Sequence, residues 1–233
     1  MKQSEFDKFA DEYASLHKSN IKLSGESPDY FAEYKIADIA TLIEKNSFPD
    51  DLKILDFGCG VGSSVPFINK YLPSSHLTCL DVSQKSLDIA KSNYGDAAEF
   101  KTFDGTAIPS QDDLFDLVFA ACVFHHIPHD EHDELFKEIF RVIKPGGMIV
   151  IFEHNPMNPL TLHAVNTCPF DENAVLIRAG ILKNRISRSG FSDSKVTYRI
   201  FFPAFFRFLR YFERFLTKFP AGAQYYVSAR KQK

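Results

Sequence analysis

The stretch Leu-Asp-Phe-Gly-Cys-Gly-Val-Gly at 55–62 constrains this chain more than any other feature. It places Gly58, Gly60 and Gly62 between an apolar run, Lys53–Phe57, and a helical one over about Ser64–Tyr71. Glycines at a strand-to-helix junction permit a tight turn and let a ligand approach the backbone N–H groups at the helix start. A glycine loop alone is weak evidence. Asp81 strengthens it, lying 19 residues after Gly62 at the end of the run His76–Asp81, where a carboxylate can accept both hydroxyls of a ribose. Asp104 and Gly105, behind a third short run, Glu99–Asp104, are placed to meet an adenine edge.

The remaining chain repeats the alternation of a parallel sheet. Ser83 is a plausible cap for a helix over Lys85–Asn93, and Phe115–Ala121 reads as a buried fourth strand. Asp130–Val142 has helical spacing, and Lys-Pro-Gly-Gly at 144–147 turns into a fifth strand, Met148–Glu153. Lys195–Phe202 and Gln224–Arg230 are expected to close the sheet as an antiparallel pair. With 233 residues and 45% apolar composition, one domain with a real core is expected. Its divisions would be an N-terminal helical cap (1–34), a nucleotide-binding core (35–153), a substrate-side insertion (154–189) and closing strands with an inserted helix (190–233).

The glycines read G-C-G-V-G, not the GxGxxG of a dinucleotide site, and Asp56 directly precedes them. An acid there would repel a pyrophosphate but suits loop amides or the ammonium of an amino acid. A Tyr-x-x-x-Lys pair is also missing. The pattern therefore favours a sulfonium amino-acid nucleoside over NAD.

These residues resemble the class I S-adenosylmethionine-dependent methyltransferases, of the group that includes ubiquinone and small-molecule methyltransferases. The likeness covers about 35–155 and rests on LDFGCGVG, LTCLDVS, TFDGTAIP, FDLVFAACVFHHI and RVIKPGGMIVIFEH, in order. It implies an α/β fold: a Rossmann-like, seven-stranded, mostly parallel sheet with helices on both faces and a terminal antiparallel hairpin. It implies S-adenosyl-L-methionine as cofactor and S-adenosyl-L-homocysteine as product. Gly58, Gly60 and Gly62 would line the methionine moiety, Asp81 the ribose, and Val82 the adenine face. Asp104 and Gly105 would read the adenine amine, Ala121 and Cys122 would lie near the sulfonium, and Tyr30 would cover the cofactor. A non-catalytic scaffold that keeps the fold, or an NAD-dependent oxidoreductase, are the alternatives. The intact motif set argues against the former and the loop pattern against the latter.

Methyl transfer is an in-line displacement, and an oxygen acceptor also needs a proton removed. His125 and His126 follow the fourth strand, and His154 follows the fifth, at the sheet edge where ligands bind. All three are candidate bases. His129 and His132 are expected to begin an exposed helix, and Pro128 breaks the spacing a metal site would need, so no metal is expected. The polar stretch 153–174, with two Asn-Pro steps, reads either as an acceptor pocket or as a loop that caps itself. The expected reaction is O-methylation of a small or lipid-linked molecule.

Charge is uneven along the chain. Residues 178–233 carry 13 Lys/Arg against two acids, whereas 1–177 carry 14 against 28. A basic end on an acidic body suits an anionic partner, or the two ends complement each other in the fold. Eight of the 24 phenylalanines fall in 201–219, and on a helix over 203–219 Phe205, Phe208, Phe212 and Phe215 would face away from Arg207, Arg210, Arg214 and Lys218. Such a helix either docks its aromatic face on the sheet, the usual outcome, or meets lipid as a peripheral membrane contact. Nucleic acid is a weaker partner, because no RNA-binding module accompanies the basic end. Four cysteines without CxxC spacing, and charged first thirty residues with no apolar leader, point to a cytoplasmic protein, in part peripheral at the membrane.

Overall fold

Four segments are buried almost throughout, as strands covered on both faces are: β1 (Lys53–Phe57), β2 (His76–Asp81), β4 (Phe115–Ala121) and β7 (Gln224–Arg230). A computed structural model, which describes residues 25–232, adds β3 (Glu99–Thr102), β5 (Ile143–His154) and β6 (Ser192–Arg199). Most of the N-terminal cap, residues 1–24, lies outside the described residues. The strands form one sheet in the order β3-β2-β1-β4-β5-β7-β6. The first five run parallel, and β7 is antiparallel to both neighbours. The expected fold class holds.

Helices α1 (Pro28–Lys45) and α2 (Val65–Tyr71) pack on one face, where Ile36, Ile39 and Ile68 meet Ile54, Leu117 and Phe119. On the other, α4 (His132–Val142) and α6 (Ala179–Arg188) bring Phe136, Ile139 and Leu182 against Phe57, Val118 and Ile149. Two further helices, α3 (Gln84–Tyr94) and α5 (Pro159–Asn166), follow β2 and β5. Each of α1, α3 and α5 starts on a side-chain cap, from Ser27, Ser83 and Asn158 respectively, which satisfies a backbone N–H left open by the first turn.

Several boundaries shift. β5 begins at Ile143, so Lys-Pro-Gly-Gly lies inside the strand, and a register break between Phe115 and Leu117 absorbs it. β6 is Ser192–Arg199 rather than 195–202, β3 stops at Thr102, and α4 starts at His132.

The larger correction concerns 203–219. It is not one helix. A 3₁₀ segment, Ala204–Phe212, is broken at Phe206 (φ −104°, ψ 22°) and leads into a single α turn, Glu213–Leu216. The expected split of faces fails with it. Glu213 is buried and accepts the N–H groups of Phe201 (2.9 Å) and Phe202 (3.0 Å). Arg210 turns inward to Glu26 and to the Phe202 carbonyl. With polar groups pulled in, the rings point out: Phe205 and Phe208 are each 70% exposed and Phe215 is 69% exposed. The aromatic face does not dock on the sheet.

Candidate active site

β1 has β2 on one side and β4 on the other, so the connections leaving β1 and β4 diverge and leave a crevice at their carboxyl ends. Gly58 and Gly60 sit in that crevice with left-handed backbone. A Cβ on Gly58 would lie 2.6 Å from Val123, just past β4, so glycine is required by close packing. A Cβ on Gly60 (φ +54°) would meet nothing within 4 Å. That is an open cradle at the loop apex. Asp81 holds it in shape: one oxygen accepts Gly60 N–H at 2.7 Å and the other Ser83 N–H at 2.9 Å. A carboxylate oxygen has capacity for more than one donor, so Asp81 can also take ribose hydroxyls.

Asp56 lies beneath the loop, 2% exposed, and accepts the Ser64 hydroxyl. Burial pushes its carboxyl up to about 7; the Ser64 hydrogen bond opposes this, the Asp81 charge adds to it, and Lys35 opposes it. Val82 is buried, and its Cγ1 lies 3.7 Å from where Gly105 would carry a Cβ, which makes the glycine's bareness part of a slot beside Val82. Asp104 is exposed, and its Oδ1 accepts Thr106 N–H (2.8 Å), the Thr106 hydroxyl (2.7 Å) and Ala107 N–H (3.1 Å). Ala121 ends β4. Cys122 follows at φ +63°, a strained conformation for a residue with a side chain, retained where the chain must turn into the crevice. Tyr30 is half-buried at the start of α1 with the Arg210 guanidinium 4.7 Å above its ring. The open apex, the strand-end carboxylate and the bare slot at Gly105 fit an adenosyl nucleoside.

His125, His126, Glu153, His154 and Asp171, from three separate segments, form a cluster of imidazoles and carboxylates. His125 Nδ1 lies 2.6 Å from Glu153 Oε2, and His125 Nε2 lies 3.7 Å from Asp171 Oδ1. Glu153 is fully buried, and its other oxygen accepts Phe124 N–H at 2.8 Å. Burial disfavours a charged His125, but Glu153 and Asp171 outweigh it and raise its pKa to about 10. His126 Nε2 is 3.4 Å from Asp171 Oδ1, with the two histidine rings 4.2 Å apart. Burial and then the charge on His125 lower His126 to about 3. The same two causes lower His154, whose ring lies 5.2 Å from His125, to about 4.

The tautomer of His154 follows from its neighbours. Tyr34 donates its hydroxyl hydrogen to Gln224 Oε1, which turns the Gln224 amide nitrogen toward His154 Nδ1 at 3.3 Å. Nδ1 therefore accepts, and a neutral His154 carries its proton on Nε2. His125, His126 and Asp171 have ligand atoms within 4.8 Å of one another, a spacing that would admit a cation.

The three candidate bases, His125, His126 and His154, lie in one cluster. The sequence does not announce their partners. Glu153 and Asp171 stand among the polar residues of 153–174, with nothing in the spacing to tie them to His125. Lys35 is buried on α1 with its ammonium on the Phe31 carbonyl (3.2 Å), near enough to influence Asp56, Cys122 and His154. Two asparagines of the same stretch cap the loop instead. Asn155 spans the Gly222 and Pro220 carbonyls, and Asn158 caps α5 and reaches Ala221.

Residues 55–151 match a family model described as a methyltransferase domain. A demethylmenaquinone methyltransferase of Lactobacillus johnsonii is 34% identical over 113 residues, 46% of this chain and 46% of that protein. A sterol 24-C-methyltransferase of Gibberella zeae is 34% identical over 107 residues, covering 44% and 27%. The chain thus spans under half the length of these relatives. Among solved structures, a SAM-dependent methyltransferase of Thermotoga maritima shares the fold over 99% of both chains, with a TM-score of 0.67 and 17% identity. The phosphoethanolamine N-methyltransferase 2 of Haemonchus contortus, solved with S-adenosyl-L-methionine, matches 87% of this chain and 56% of that one at TM-score 0.60 and 19% identity. The methyltransferase resemblance is supported over residues 55–151, which match a methyltransferase domain, and the solved structures share its fold.

Proposed function

We propose that this chain transfers a methyl group from S-adenosyl-L-methionine to an acidic hydroxyl of a small or lipid-linked molecule. The observation that carries this reading is the arrangement of the cluster: His125 lies between Glu153 (2.6 Å) and Asp171 (3.7 Å), with the rings of His126 and His154 beside it. When bound, S-adenosyl-L-methionine supplies an electrophilic methyl on a sulfonium. Asp81 and the Gly58–Gly62 loop hold the nucleoside, with Asp56 beneath the loop and Val82, Asp104 and Gly105 along the adenine. Ala121 and Cys122 close the crevice beside the reacting centre, and Tyr30 covers it.

On the acceptor side, His154 offers its Nε2–H as a donor to the acceptor oxygen. His126, with Nε2–H toward Asp171, has its lone pair on Nδ1 and takes the hydroxyl proton. The Asp171 and Glu153 carboxylates favour that uptake, while burial and the charge on His125 oppose it. Burial and the charge on His125 nevertheless keep His126 a weak base, which suits an acceptor more acidic than an aliphatic alcohol, of a phenol or enol kind. His125 positions the other two.

A second reading is favoured by the names of the relatives, demethylmenaquinone and sterol 24-C-methyltransferases. Removing a phenolic proton also makes the adjacent ring carbon nucleophilic, so the same base serves C-methylation. Methyl transfer from labelled S-adenosyl-L-methionine to matched phenols, hydroquinones and aliphatic alcohols tests the proposal. Transfer confined to the acidic hydroxyl compounds supports it, with carbon or oxygen attachment read from the product. Transfer to amines or aliphatic alcohols alone overturns it. The setting proposed is the cytoplasm, at or near a membrane surface.

A further inference from the structure

The connection from β6 to β7 crosses the carboxyl edge of the sheet. Arg199 at the end of β6 pairs with Gln224 at the start of β7, and Gln224 pairs with His154 at the end of β5. Residues 200–223 therefore form a strap beside the histidine cluster. The strap is anchored by its polar groups. Glu213 accepts two backbone N–H groups, Arg210 reaches Glu26 and the Tyr30 ring, and Thr217 takes the Tyr198 N–H at 2.8 Å. Its rings are left in solvent: Phe205 and Phe208 at 70% exposure, Tyr211 at 63%, Phe215 at 69% and Phe219 at 60%.

A second apolar patch is tied to the first. Met157 is 57% exposed and Leu160 64% exposed, at and just before the start of α5. That segment is bound to the strap by Asn158 to the Ala221 carbonyl (2.8 Å) and Thr161 to the Ala223 carbonyl (2.9 Å). Exposed apolar surface gathered at one edge marks an interaction site.

The charge of the patch selects the partner. Arg207, Arg214 and Lys218 are exposed among the rings, and the one acid of the strap, Glu213, is buried. The Arg214 guanidinium lies 4.7 Å over the Phe215 ring, so the cation stands at the level of the aromatic surface. Rings that enter an acyl boundary, with cations at headgroup height, are the arrangement of an interfacial anchor.

We propose that the 200–223 strap and the 157–160 segment lay this edge of the sheet on an anionic bilayer, so that the acceptor reaches the histidine cluster from the lipid. The docking stands on the surface itself; the delivery of an acceptor rests on the methyl-transfer reading above.

The test is flotation of the full chain with vesicles of phosphatidylcholine alone or with phosphatidylglycerol. It is run for wild type, for Phe205→Ser/Phe208→Ser/Phe215→Ser and for Arg207→Gln/Arg214→Gln/Lys218→Gln. Wild type is expected to float with the anionic vesicles and to release them at high salt. The ring variant should bind at least about tenfold more weakly, and the charge variant should lose roughly fivefold per cation together with its salt dependence. Calorimetric binding of S-adenosyl-L-homocysteine, unchanged in both variants, shows that they fold. Wild type that stays off anionic vesicles overturns the docking, as do folded variants that float like wild type. A wild-type dimer in sedimentation that the ring substitutions disperse, without vesicle binding, overturns it in favour of a second copy on this face. Vesicle binding without S-adenosyl-L-homocysteine binding leaves the docking standing and removes the methyl-transfer reading.

Discussion

His125 and His126 are adjacent in the chain yet shift in opposite directions: His125 has Glu153 at 2.6 Å, whereas His126, although 3.4 Å from Asp171, is buried beside the charge on His125. The consequence is a defined pH dependence. His125 has a folded pKa of about 10, above the ~6.5 of an unfolded histidine. Its contribution to stability is full below ~6.5 and is lost as pH rises through about 10. His154 is depressed to about 4, so its contribution is full above ~6.5 and is lost as pH falls through about 4. The melting temperature should therefore peak near neutrality. His125→Gln should lower it overall, since Glu153 is left buried without its partner, and should flatten the alkaline decline; an alkaline limb as steep as wild type would contradict the assignment. Turnover follows the same logic. A His126 with a pKa near 3 is neutral throughout pH 5–8, so kcat should show no histidine limb there. His126→Gln should cost about 10²–10⁴ in kcat with S-adenosyl-L-homocysteine affinity unchanged. An acid limb near 6.5 that persists in Asp56→Asn, which removes the carboxyl that sits at about 7, would show that His126 is not held as described.

The glycine loop makes the other residue-scale contrast. Gly60→Ala meets nothing in the protein, so it should fold with about 1–2 kcal/mol of left-handed strain yet lose cofactor affinity by filling the cradle. Gly58→Ala drives a methyl into Val123 and should fail on stability instead. Denaturant melts beside cofactor titration separate the two, and equal loss of stability would refute the contrast.

At the scale of elements, β1, β2, β4 and β7 were legible to the residue, because short segments rich in aliphatic, β-branched and aromatic residues stand between turn residues. The strap was not. Its ring spacing matches a helix, and spacing says nothing of Glu213 turning inward to hold Phe201 and Phe202. Removing that carboxylate by Glu213→Ala should destabilise the chain by about 1–3 kcal/mol, since two buried N–H groups lose their acceptor. No change in the denaturation midpoint would mean that the strap is held otherwise. The cluster partners were illegible for a related reason. Glu153 and Asp171 are 28 and 46 positions from His125, and only the sheet register and the loop after α5 bring them together.

Across the whole molecule, the acidic body and basic end largely answer each other. Arg199 pairs with Asp38, Arg188 with Asp133, Lys231 with Asp113 and Arg210 with Glu26. The complementary reading of the charge asymmetry accounts for these, and the strap cations Arg207, Arg214 and Lys218 are left at the surface near the site. Among the described residues no helix is long and apolar enough to cross a membrane. Sheet order, glycine loop and histidine cluster converge on the carboxyl edge of the sheet. The most direct measurement is calorimetric titration of the full chain with S-adenosyl-L-homocysteine, S-adenosyl-L-methionine and NAD, repeated on Asp81→Ala. The account predicts binding of the first two, weakened about 10–100-fold by the loss of hydrogen bonds to a charged group, and none of NAD. Binding of NAD alone, or of none of the three, would contradict it.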